Sequence, residues 1–152
     1  MLMQKKINKV LIIFFLIFFP TTSYAEEIYL SLKKNKVNVR YGPSFGSPIK
    51  FVYKKINLPI KQIDKKENWR RIIDLKNNSG WIHLSQLKPT NSIIPLEDKI
   101  LFNEPSNFSK PLAKIKNGRV LIVQKCIIGW CKVKSEKFKG WVKTNKIWGL
   151  TN

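Results

Sequence analysis

The 152-residue chain holds one histidine, two cysteines and nine acidic residues, and each scarcity removes a class of chemistry. A single histidine, His83, and two cysteines cannot make up a zinc site on their own. The cysteines, Cys126 and Cys131, lack the Cys-x-x-Cys spacing of a redox pair. General acid–base work by His83 needs a nucleophile and an orienting carboxylate gathered around it. The carboxylates are scattered, with only Glu26 beside Glu27 and Glu97 beside Asp98, all in expected loops. Paired carboxylates for sugar hydrolysis also need a cleft to hold them. No catalytic residue, metal or cofactor is therefore expected. An exported hydrolase dependent on His83 stands as the one enzymatic alternative.

Helical patterning is also missing. Nothing after Ala25 sustains apolar residues at i, i+3, i+4 and i+7, so only single helical turns are expected. The one long apolar run, Val10 to Phe19, follows Lys5, Lys6 and Lys9 and ends in Pro20 to Ala25, with small residues at Ser23 and Ala25. Ten apolar residues as a helix cover about 15 Å, half of a bilayer core of about 30 Å. Residues 1–25 therefore read as a signal peptide cleaved after Ala25, and the product is expected outside the cytosol.

Arginine is nearly absent: Arg40, Arg70, Arg71 and Arg119 are the whole set among 29 basic residues. Cleavage removes three lysines, leaving 26 basic against nine acidic residues, a net charge of about +17. Such a field attracts polyanions, yet arginine is the usual reader of bases and phosphates, and the excess is lysine in a chain rich in isoleucine and asparagine. Nucleic acid is thus an unlikely partner, and the charge reads as compositional. An electrostatic polyanion binder is kept as an alternative.

What the chain does have is a duplication. NWRRIIDLKNNSGWIHLSQL, Asn68 to Leu87, returns in looser form as GWCKVKSEKFKGWVKTNKI, Gly129 to Ile147. In each copy a tryptophan (Trp69, Trp130) precedes a β-branched residue by three positions (Ile72, Val133), and Gly-Trp-Ile/Val follows about ten residues later (Gly80 to Ile82; Gly140 to Val142). Short alternating segments surround these signatures. Val37 and Val39 begin the first strand, and a turn cluster spans Gly42 to Pro48. Ile49, Phe51 and Tyr53 form the next strand, followed by Leu58 to Asp64, then WRRIIDL, then Trp81 to His83. The step from Trp69 to Ile72 is odd for a strand and predicts a bulge near Arg70 or Arg71. Trp81 and Trp141 are expected to fill the cores.

Lys88 to Asp98, with two prolines, reads as a connector. In the second copy Pro105 and Pro111 are expected where Pro43 and Pro48 stand in the first. The prediction is all-β: a signal peptide (1–25), a first small barrel (26–88), a connector (89–98) and a second barrel (99–152). Units of about 60 residues lie close to the lower limit for a self-supporting core. Cys126 and Cys131 would face each other across a hairpin, and outside the cytosol the natural reading is a structural disulfide.

VNVRYGP (Val37 to Pro43), ENWRRI (Glu67 to Ile72), SGWIH (Ser79 to His83), GWCKV (Gly129 to Val133) and KGWV (Lys139 to Val142) together resemble bacterial SH3-like domains of the exported tandem type. The resemblance implies paired five-stranded β-barrels, periplasmic residence and a binding or scaffolding role without catalysis, toward cell-wall peptide or an envelope protein. Membrane contact is expected only through the signal peptide before cleavage. Tyr41, beside Arg40 and ahead of the Gly42 to Pro48 loop, can frame a groove with Trp69, since aromatic-lined grooves on small barrels grip extended peptides. Arg40, Tyr41, Trp69, Arg71 and His83 are the candidate ligand-binding residues.

Overall fold

The computed structural model describes residues 26–150; the expected signal peptide and its cleavage point at Ala25 lie outside them. The first half forms β1 (Ile28–Leu32), β2 (Val37–Arg40), β3 (Ile49–Tyr53), β4 (Pro59–Lys66), β5 (Trp69–Ile73), β6 (Ser79–His83), a 3-10 turn (Leu84–Gln86) and β7 (Leu87–Pro89). The second half forms β8 (Ser92–Pro95), β9 (Lys99–Phe102), β10 (Pro111–Ile115), β11 (Leu121–Ile127), β12 (Trp130–Lys134), β13 (Lys139–Lys143) and β14 (Ile147–Trp148).

The two antiparallel sheets run β3-β2-β6-β5-β4-β1-β7 and β10-β9-β13-β12-β11-β8-β14. The second order repeats the first strand for strand, so the duplicated signatures mark duplicated folds. Each sheet has seven strands rather than the expected five. The additions are β1, which the sequence reading passed over, and β8, which lies in the segment read as a connector, together with short β7 and β14. Ser92–Pro95 becomes a strand because it pairs with both β11 and β14, which leaves only Thr90 and Asn91 between β7 and β8.

Apolar alternation builds one core per sheet. Leu32, Val37, Val39, Ile60, Ile72, Ile82 and Leu87 fill the first; Ile93, Leu101, Ile115, Leu121, Cys131, Val133 and Val142 fill the second. Neither cluster includes a tryptophan, contrary to the expectation for Trp81 and Trp141.

The glycine of each Gly-Trp pair has a steric cause. A Cβ on Gly80 would run into the Val39 side chain and lie 3.0 Å from the Arg40 carbonyl oxygen, and one on Gly140 would lie 2.5 Å from the Phe102 oxygen and 2.8 Å from Leu101 Cγ. Glycine is required where β6 crosses β2 and where β13 crosses β9.

A bulge exists, but on the partner strand. Gln62 faces Ile72 and Asp64 faces Arg71, which leaves Ile63 as the extra residue, while β5 runs unbroken along β6. The second sheet repeats this, with Gln124 extra in β11. Because β5 is regular, Trp69 and Ile72 face opposite sides. Ile72 enters the core and Trp69 is buried on the other face.

The disulfide forms as expected. Cys126 and Cys131 are cross-strand partners on β11 and β12 with Cα atoms 4.1 Å apart, and Gly129, at φ +78°, turns the hairpin between them.

The halves also touch. Ser31 and Ser92 hydroxyls are 2.8 Å apart in a buried hydrogen bond, and Ser92 Oγ donates to the Asn57 carbonyl at 2.6 Å. Trp148 packs edge-on against Tyr29, with ring centroids 5.1 Å apart.

Candidate functional site

Strand alternation decides which side chains leave the core. In β6, Gly80 and Ile82 are buried inward, so Trp81 and His83 project from the outer face. Register then gathers their neighbours: Trp81 lies between Arg40 of β2 and Arg71 of β5, and His83 lies opposite Trp69. Arg40, Trp69, Arg71 and His83, four of the five candidates, therefore share one surface with Trp81. Tyr41 follows directly at the end of β2 and is 66% exposed.

The loop after Tyr41 folds back over this surface. Its ends are tied by the Tyr41 amide donating to the Pro48 carbonyl at 3.1 Å. Inside it, Arg40 Nη1 donates to the Ser47 carbonyl at 2.6 Å. This places Phe45, which the sequence reading did not single out, on Trp69 and His83 with ring centroids 5.0 Å from each. Trp69 and His83 are themselves 5.2 Å apart, so Trp69 is buried by two rings rather than by the core. The available signal was a lone aromatic in a Gly, Ser and Pro loop, a position with no packing role along a strand.

His83 is spent on structure. Its Nδ1 caps the 3-10 turn, 3.3 Å from the Ser85 amide and 2.8 Å from Ser85 Oγ. The ring neighbours are Phe45 and Trp69.

Beside the rings, Arg40, Tyr41, Lys50, Arg71 and Trp81 line a notch of about 310 Å³. Lys50 Nζ donates to the Ser79 carbonyl at 2.9 Å and lies 5.6 Å from the Tyr41 ring centroid. Three cations meet two aromatic rings here, and no carboxylate is among the lining residues.

The second sheet presents the matching surface with different side chains. Phe102, Trp130, Lys132, Trp141 and Lys143 occupy the registers of Arg40, Trp69, Arg71, Trp81 and His83. Trp141 is not in the core; the Lys125 and Lys132 ammonium groups lie 5.4 and 5.8 Å from its ring centroid, and Lys143 lies 5.8 Å from that of Trp130. The loop from Asn103 to Lys110 repeats the hydrogen bonds of the loop from Tyr41 to Pro48. Pro105 matches Pro43 as expected, but Lys110 takes the place of Pro48, and Pro111 matches Ile49. Asn107 stands where Phe45 stands, and a cavity of about 210 Å³ opens beside Phe102, Asn107 and Lys143.

Four carboxylates are engaged elsewhere in ion pairs. Glu27 pairs with Lys61, Glu97 with Lys99 and Lys146, Asp98 with Lys114 and Lys116, and Glu136 with Arg119. The Asn117 amide, joined by Lys114 and Lys116, holds the Asp98 carboxyl down at about 2. Lysine contacts likewise lower Glu27 and Glu97. Lys99 is the buried member of this set; its Nζ donates to Glu97 Oε1 at 2.8 Å and to the Asn145 carbonyl at 2.6 Å, which ties the β8–β9 corner to the loop after β13.

Two copies of one small all-β module, each with an aromatic and cationic outer face, define a duplicated barrel-like protein. The chain belongs to the bacterial SH3 domain family, whose sequence profile matches residues 33–89 and again 98–149. Domains of this family are generally binding modules. No curated protein sequence matches the chain. Solved structures similar to it include NlpC2 from Trichomonas vaginalis, with 10% identity and a TM-score of 0.38 over 83% of this chain and 49% of that one. NlpC1 from the same organism gives 10% and 0.38 over 84% and 47%. The chain thus spans about half the length of those structures.

Proposed function

We propose that this protein is a non-catalytic binding module of the bacterial envelope, exported to the periplasm by residues 1–25, which grips a carboxylate-bearing cell-wall peptide or an extended segment of an envelope protein. The observation that carries this reading is the notch where Arg40, Lys50 and Arg71 converge on Tyr41 and Trp81 without a carboxylate among its lining residues. Arginine's planar fork fits a carboxylate through two parallel hydrogen bonds. The flanking rings supply flat apolar walls for the peptide backbone and side chains. His83 contributes to the ring cluster that shapes the loop, not to proton transfer.

Sedimentation with isolated peptidoglycan sacculi at low salt tests this directly. The body from Glu26 onward should co-sediment. Arg71→Ala should weaken that by about tenfold or more, since a hydrogen bond to a charged group contributes about 1.5–3 kcal/mol. Wild-type protein left wholly in the supernatant would remove the cell-wall version, and retention unchanged by Arg71→Ala and Tyr41→Ala would remove the notch.

A further inference from the structure

The second module carries a feature the first lacks. Phe108 and Ile128 are both 100% exposed, and they lie at the same end of the module. Ile128 is the tip of the β11–β12 hairpin, two residues before Trp130. Phe108 adjoins Asn107, which lines one cavity with Lys143, and Lys143 is the cross-strand partner of Trp130. In the first module Glu67, an acidic residue, stands where Ile128 stands and Gly46 where Phe108 stands, and the loop phenylalanine is folded down onto Trp69 instead. Ile127, paired with Trp130 in the next register, is 49% exposed.

Lysines rim these apolar tips. Lys143 shares the Ile127–Trp130 register beside Ile128, Lys125 and Lys132 lie two registers further along, and none of the three forms an ion pair among the described residues. Strands β11, β12 and β13 contain no Asp or Glu at all. The Lys125 and Lys132 ammonium groups lie over the Trp141 ring, which is only 7% exposed. That ring is therefore not free to stack on a base or a sugar, and the ammonium groups form the outermost layer above it.

We propose that this end of the second module docks on an anionic lipid surface, with Phe108, Ile127 and Ile128 entering the headgroup boundary and Lys125, Lys132 and Lys143 meeting lipid phosphates. Exposed large apolar side chains rimmed by lysine gain from both terms of interfacial binding, apolar burial and attraction to anionic headgroups. A soluble polyanion would use the lysines alone, and fully exposed Phe108 and Ile128 would give it nothing. The inference is independent of the peptide notch, which lies on the other module, and it extends membrane contact beyond the signal peptide.

Co-sedimentation of residues 26–152 with phosphatidylcholine vesicles, with and without phosphatidylglycerol, tests it. Binding should require phosphatidylglycerol. Each of Lys125→Gln, Lys132→Gln and Lys143→Gln should weaken it by roughly fivefold, and the double change Phe108→Ser with Ile128→Ser should weaken it by about tenfold or more. Arg71→Ala should leave it intact, which separates this result from failure of the peptide notch. Circular dichroism melts confirm folding, since all the substituted positions are on the surface. Three outcomes overturn the proposal: no binding to anionic vesicles, equal binding to neutral ones, or binding indifferent to Phe108→Ser with Ile128→Ser and fully displaced by soluble polyphosphate.

Discussion

Trp148 in β14 donates its indole N–H to the Pro59 carbonyl in β4 at 2.9 Å, so the last strand of the second module completes a contact of the first. Pro59 has no amide to give the sheet, but its carbonyl is satisfied from the other half of the chain. Gly149, next in sequence, sits at φ +102° with the Ser92 oxygen 2.7 Å and Pro59 Cβ 2.8 Å from where a Cβ would stand. The two modules meet through a buried, hydrogen-bonded seam.

Trp148→Phe keeps most of the ring and removes the donor. It should lower stability by about 1 kcal/mol, the net worth of a hydrogen bond whose partner is left unsatisfied. A urea titration of the body from Glu26 onward should show a lower midpoint with an unchanged slope.

Gly80→Ala and Gly140→Ala place a methyl group against backbone carbonyls, which cannot swing away as a flexible side chain could. Each should cost about 1–3 kcal/mol through overpacking. The same change at Gly118, whose Cβ would meet no heavy atom within 4 Å, should cost only the strain of its φ of +73°. Thermal melts of the three variants, ranked with Gly118→Ala as the mildest, check the steric argument.

These glycines also show how much of the structure could be read in advance. The duplication, the all-β class and the cysteine pair were legible because they rest on local patterns: period-two alternation, Gly-Trp signatures and a two-residue turn. Arg40, Trp69, Arg71 and His83 were named from motif residues, and the register gathers them on one face. What was hidden depends on long-range pairing. Ser92–Pro95 looks like a linker until β11 and β14 flank it. Trp69 looks like a core residue until an unbroken β5 turns it outward and Phe45, 24 positions earlier, covers it. The Trp69 to Ile72 step reads as a bulge near Arg70 or Arg71 that puts both on one face, but β5 is regular, the two face opposite sides, and the extra residue, Ile63, lies in β4, where the step gives no sign of it.

Reduction of Cys126–Cys131, or Cys126→Ser with Cys131→Ser, opens a loop of about six residues. That should cost about 2 kcal/mol on the chain-entropy account, mainly in the second module, whose core includes Cys131. Calorimetry with and without reductant should show a lower melting temperature under reduction, and an unchanged one would assign the pair no stabilising role.

Tyr53 donates to Asp74 Oδ2 at 3.0 Å; burial first, then the Asp74 charge and this hydrogen bond, push its phenol well above the ordinary value near 10. A pKa raised on folding gives stability that is complete below the unfolded-state value and lost as pH rises through the folded-state one. Tyr29, pushed up to about 12 mainly by its burial, acts in the same direction. The protein should therefore weaken above about pH 10. Tyr53→Phe should flatten part of that decline and cost about 1 kcal/mol at neutral pH. Denaturant midpoints across the alkaline range, with phenolate absorbance followed in parallel, measure both.

The proposed binding role rests on ligand being held in the notch on the first module's outer face. Titration of residues 26–152 with solubilised, uncrosslinked cell-wall peptides, followed by isotope-edited NMR, tests it most directly. Saturable shifts centred on Arg40, Tyr41, Arg71 and Trp81 are expected, and they should vanish in Arg71→Ala. Shifts confined to the second module, or unaffected by Arg71→Ala, would contradict it.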